Sequence, residues 1–128
     1  MNITFTFETQ SQQIANDAIS IIKGDAYDDL SNPTIRFHAS DDFIDGLTAR
    51  LTIRQVNDLS TDPPVLEVTT VADGEDCVFT LPSSLTNSIP LAGRRQSFNY
   101  DFEIEFGPDS FKTGAMGTFT VTESETRR

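Results

Sequence analysis

Apolar and polar residues alternate with period two along much of this chain, most regularly near its end. From Phe98 to Phe106, Phe98, Tyr100, Phe102, Ile104 and Phe106 share one parity while Asn99, Asp101, Glu103 and Glu105 take the other. A helix would scatter those five apolar side chains around its circumference. A strand puts them on one face, where full burial of each is worth roughly 1.5–3 kcal/mol. Gly107, Pro108 and Asp109 supply a turn, and Phe111 to Gly114 leads to a second strand at Thr118 to Thr122. The pattern predicts a terminal hairpin whose Thr118, Thr120 and Thr122 face meets solvent.

Upstream, Leu47, Ala49, Leu51 and Ile53 alternate with Thr48, Arg50, Thr52 and Arg54, a further amphipathic strand. Val65 to Thr70 and Cys77 to Leu81 read as strands joined into a hairpin by a tight reversal at Asp73-Gly74. Ala18 to Ile22 and Thr34 to His38 are shorter strands, and Pro82 to Ile89 has room for one helical turn between two prolines. Asn57 to Pro64 reads as one long loop. At the start, Ile3, Phe5 and Phe7 alternate with Thr4, Thr6 and Glu8 before a polar stretch to Asp17. Residues 1–17 are then either the first strand of the body, the more ordinary arrangement, or an arm whose Ile3, Phe5 and Phe7 form an interface by adding to a neighbour's sheet edge.

Seven to nine short strands without a long 3.6-residue period predict an all-β fold, an antiparallel immunoglobulin-like β-sandwich, with a small barrel as the alternative. The 128 residues make one domain, long enough to bury a core without metal or disulfides. There is no tryptophan, and the single cysteine, Cys77, cannot form a cross-sheet bridge, so the sandwich is not of antibody type.

Charge narrows the choice of partners. Twenty acidic against nine basic residues give a formal net charge of −11, which repels nucleic acid and anionic membrane surfaces. The start of the chain has no basic and apolar leader pattern, and no apolar run is long enough to span a bilayer, so an unexported soluble protein is expected.

Candidate chemistry is sparse. His38 is the only imidazole, and no serine sits in a nucleophile-elbow motif. Cys77 precedes Val78-Phe79 and reads as a small buried hydrophobe. Asp101, Glu103 and Glu105 share the face of one strand, a spacing that any solvated strand shows as well as a glycosidase pair. Asp41, Asp42 and Asp45 precede Gly46, but Phe43 and Thr52 occupy positions where a calcium loop needs ligands. A looser calcium site would require Asp41, Asp45, Asp73 or Asp76 to converge. The reading is a non-enzymatic protein with no catalytic residues, no cofactor and no resident metal.

Five segments carry a resemblance: IIKGDAYDD, DGLTARLTIRQ, VFTLPSSLTNSIP, NYDFEIEFG and MGTFTVTESETR. In this order they resemble small tailed-bacteriophage virion proteins, in particular the immunoglobulin-like N-terminal domain of baseplate upper proteins and related tail and fibre adaptors. The matching positions are Gly24-Asp25, Leu81 to Thr86, Tyr100-Asp101 and Gly117 to Arg127, and coverage runs from about Ala18 to Arg127. In the family these positions are structural. Baseplate upper proteins continue into segments that bear the receptor-binding tip, whereas this sequence stops at Arg128. The resemblance therefore implies a multi-copy tail, baseplate or fibre-attachment adaptor, or else a capsid decoration (cement) protein. Its partners would be other virion proteins (tail, baseplate, fibre or major capsid subunits) and further copies of itself, without nucleic acid or membrane, assembled in the host bacterial cytoplasm. A host-glycan-binding module using Phe43 or Phe111 is the other class to weigh.

Overall fold

A computed structural model describes residues 1–6, 15–40, 44–56 and 63–124. Within them eight strands run β1 (Asn2–Phe5), β2 (Ile19–Ile22), β3 (Ile35–Ala39), β4 (Thr48–Gln55), β5 (Leu66–Val71), β6 (Asp76–Phe79), β7 (Arg95–Gly107) and β8 (Ser110–Thr122). The short helix α1 spans Ser83–Asn87, opened by Pro82 as the isolated proline pair predicts. The strands form two facing sheets, a three-stranded one in the order β1-β3-β6 and a five-stranded one in the order β2-β8-β7-β4-β5. This is the expected all-β sandwich.

The expected antiparallel pairing needs a correction. β1 pairs with β3 and β2 with β8 in parallel, while the remaining pairs are antiparallel. Local alternation marks a strand but carries no information about a neighbour far along the chain. The expected hairpin of β5 and β6 is also revised. Asp73 and Asp76 exchange backbone hydrogen bonds of 2.9 and 3.1 Å around the Gly74 turn, but β5 pairs with β4 and β6 with β3. The turn carries the chain from one sheet to the other.

The terminal hairpin is longer than its alternation suggested, with 13 residues in each strand. Phe98, Tyr100, Phe102 and Ile104 are buried as expected, but Phe106 is 37% exposed. A register shift between Glu105 and Gly107 turns the ribbon there, and Lys112 lies over the Phe106 ring at 5.1 Å. On the threonine face Thr118 and Thr122 are exposed, whereas Thr120 is only 8% exposed and sits 3.3 Å from the Ser97 hydroxyl. The loop read at Asn57 to Pro64 lies mostly outside the described residues.

Aromatic side chains join the sheets. Phe37 of β3 stacks parallel on Phe102 of β7, ring centroids 4.1 Å apart. Phe79 of β6 meets both rings edge-on at 5.7 and 6.0 Å, and Phe5 of β1 meets Phe102 at 5.0 Å. Phe5 has room because Gly114, the residue bulged out between the Phe102–Ala115 and Glu103–Thr113 pairs, has no side chain. A Cβ at 114 would stand 2.8 Å from Phe5 Cδ2 and 3.1 Å from Phe102 Cδ2.

Gly114→Val should therefore destabilise the fold by about 1–3 kcal/mol through overpacking. Gly107→Ala, where a Cβ meets nothing within 4 Å, should stay within about 0.5 kcal/mol of the parent. Urea unfolding of the two variants checks the contrast.

Candidate functional site

The residues that carry the sequence resemblance lie at the joints between segments. Buried Thr86, on α1, accepts a hydrogen bond from Gly24 N (3.0 Å) and donates to Asp25 O (2.8 Å). One hydroxyl thus satisfies a donor and an acceptor of the turn after β2, so the Leu81-to-Thr86 and Gly24-Asp25 motifs are one contact. Tyr27 and Leu81 exchange backbone hydrogen bonds of 2.8 and 3.0 Å, and the Tyr27 hydroxyl accepts from Ile22 N at 2.7 Å. Burial pushes the Tyr27 phenol up from its ordinary range, although the Ile22 hydrogen bond opposes the shift and Asp25 reinforces it.

The Tyr-Asp and terminal glycine motifs meet in the same way. Tyr100 pairs with Gly117 across β7 and β8, and its hydroxyl donates to Asp17 O at 2.5 Å. A Cβ on Gly117 would lie 3.0 Å from the Tyr100 ring, Asn16 Oδ1 and Asp17 O, so the missing side chain lets these groups converge. Burial, with the nearby Asp17 charge, pushes the Tyr100 phenol up to about 12.

The outer face of the five-stranded sheet carries the exposed chemistry. Arg50 donates to Glu103 at 3.1 Å on the neighbouring strand and lies 4.9 Å from the Phe111 ring centroid. Its Nε is buried without a hydrogen-bond partner among the described residues. Asp101 shares this face, and its carboxyl is held above the usual range by burial and then by Glu103, with Arg54 opposing. An open groove of about 490 Å³ runs beside it, lined by Asn16, Arg54, Asn99, Asp101 and Met116 among others. Paired strands bring Arg50 to Glu103 across 53 positions of sequence, which strand alternation alone does not reveal.

The sequence candidates fall elsewhere. Ile3 and Phe5 are each 3% exposed and belong to this chain's own core, while Phe7 lies outside the described residues. His38, on the outer face of the other sheet, places Nδ1 2.8 Å from Asp76 Oδ1, with Arg36 Nη1 at 3.9 Å from the second oxygen. Cys77 is fully buried, which pushes its thiol up to about 12, with Asp76 adding to the shift. Asp45 accepts from Gly74 N at 2.8 Å. No three His, Cys, Asp or Glu side chains gather as a metal site among the described residues, and Asp41, Asp42 and Phe43 lie outside them. No helix among the described residues is long and apolar enough to cross a membrane.

No protein-family model matches the chain, and no curated protein sequence matches it. Among solved structures, the chain is similar to the N-terminal domain of phage TP901-1 ORF48, with 97% of each chain covered, 11% sequence identity and a TM-score of 0.47.

Tyr100→Phe leaves Asp17 O without its phenol donor and should cost about 1–3 kcal/mol. Tyr100 and Cys77 also set an alkaline limit. Both keep their protons to about 12 in the folded chain, against 10.0 and 9.0 for the free groups. The unfolded chain ionises first, so stability present below those ordinary values falls as pH rises toward 12. Urea midpoints across this window should decline in the parent, and less steeply in Tyr100→Phe.

Proposed function

We propose that this chain is a non-enzymatic structural protein of a tailed-phage virion, a multi-copy tail, baseplate or fibre-attachment adaptor that acts through protein–protein contacts. The observation that carries the reading is the placement of the resemblance residues. Gly24, Asp25, Thr86, Tyr100 and Gly117 serve as internal joints of a sandwich, the structural role that the resemblance implies for them.

The surface left for partners suits area contacts better than enclosure of a small molecule. The groove beside Asp101 is open, and its lining holds no imidazole or thiol. Exposed apolar side chains are spread over strands and loops, with Leu30 at 92%, Val71 at 59% and Phe111 at 43%. Repeated copies turn such modest contacts into stable assembly. The net charge of −11 weakens contacts between free copies and disfavours nucleic acid and anionic membranes. A buried thiol without a disulfide suits assembly in the reducing host cytoplasm.

Quantitative mass spectrometry of purified particles, scaled to the major capsid protein, tests the proposal. A tail or baseplate adaptor, arranged in one or a few closed rings, should be present at about six to a few tens of copies. Hundreds of copies would make it a capsid decoration protein instead, and absence from the particle would overturn the virion reading.

A further inference from the structure

We infer that the β5 edge of the five-stranded sheet is a self-complementary surface at which a second copy of this chain adds, joining two sheets into one across a two-fold axis. The inference rests on strand geometry and stands apart from the virion reading.

Among the described residues the sandwich has four edge strands, and β5 is the longest of them, with six residues against four in β1, β2 and β6. The β2 edge is already engaged at Ile22, whose N–H donates to the Tyr27 hydroxyl. On β5 the hydrogen bond from Ala72 N to Leu47 O sets the phase of the ladder with β4. Antiparallel alternation then turns Leu66, Val68 and Thr70 toward β4, and turns the backbone N–H and C=O groups of Glu67, Thr69 and Val71 outward. None of those outward groups has a partner among the described residues. The strand, LEVTTV, also lacks the lysine, proline or bulge in its middle that blunts a solitary edge.

A two-fold axis makes such an edge pair antiparallel with itself, and one register fits. Centred on Val68, the pairing would need Val65 N–H, which already donates to Ile53 O. Centred on Thr70, it would set Glu67 opposite the second copy's Asp73, whose N–H already bonds Asp76 O. Centred on Thr69, every outward group pairs, giving about six inter-chain hydrogen bonds. Glu67 then faces Val71 of the second copy, and Thr69 faces its own counterpart. Half-buried Val68 gains cover from Thr70 of the second copy on the inner face, and exposed Val71 gains cover from the Glu67 stem. The two Glu67 carboxylates end about 14 Å apart by strand rise, beyond the roughly 8 Å Debye length at physiological salt.

A single strand edge buries less than a standard interface, so the isolated pair should be weak, with Kd between about 10 μM and 1 mM. Because each copy carries −11, added salt should tighten it. Sedimentation velocity on the full chain tests this with charge substitutions at position 71, whose side chain is exposed. Val71→Glu puts a carboxylate opposite Glu67 and should weaken dimerisation about fivefold, whereas Val71→Lys should strengthen it by a similar factor. Leu30→Glu and Leu30→Lys make the same changes in net charge at a 92% exposed position away from the edge, and should leave Kd nearly unchanged. A parent that stays monomeric to about 1 mM overturns the inference. So do Glu and Lys at 71 acting alike, or the Leu30 pair reproducing the Val71 pair.

Discussion

The parallel contact between Phe37 and Phe102 holds the two sheets to one another. Each ring belongs to a strand with a neighbour on both sides, β3 between β1 and β6, and β7 between β8 and β4. The stack therefore couples the middle of one sheet to the interior of the other, and Phe5 and Phe79 close around it. This packing imposes requirements at a distance. Phe5 can enter only over a residue without a side chain, which calls for Gly114, and seating Gly114 there calls for the bulge in β8.

The same economy governs the perimeter. The hydroxyls of Thr86 and Tyr100 satisfy backbone groups in the segments that enter and leave β2, where sheet pairing does not reach. Residues that look like a sparse motif in one dimension are therefore the fastening points of a short parallel strand. With the interior and its joints committed to structure, the exposed features among the described residues are strand edges, the mixed Arg50, Glu103 and Phe111 patch, and loop tips. The virion proposal and the β5 edge both concern these outer features.

Much of the strand content was legible because a strand facing a core on one side must alternate, as Leu47 to Ile53 and Phe98 to Ile104 do. Burial of Cys77 and the single turn after Pro82 were legible for equally local reasons, an apolar neighbourhood and a flanking proline pair. Pairing was not. The parallel partners of β1 and β2 lie roughly 35 and 100 residues along the chain by their register, and no local periodicity encodes that distance. The Ala72 to Glu75 turn looked like a hairpin because its chemistry is that of a tight reversal, yet strands that meet at a reversal can enter different sheets. Ile3 and Phe5 illustrate the same limit. Alternation marked them as apolar on one face, but the structure alone shows that this face packs within the same chain.

Native-state amide hydrogen exchange is the measurement that tests the coupling of the sheets most directly. If the Phe37–Phe102 contact unites them, the core amides of β3 in the small sheet and of β4 and β7 in the large one should exchange with one common opening free energy, equal to that of global unfolding. Exchange from β1, β3 and β6 through a separate, lower-energy opening while β4 and β7 stay protected would contradict the account, because the small sheet would then be an accessory layer.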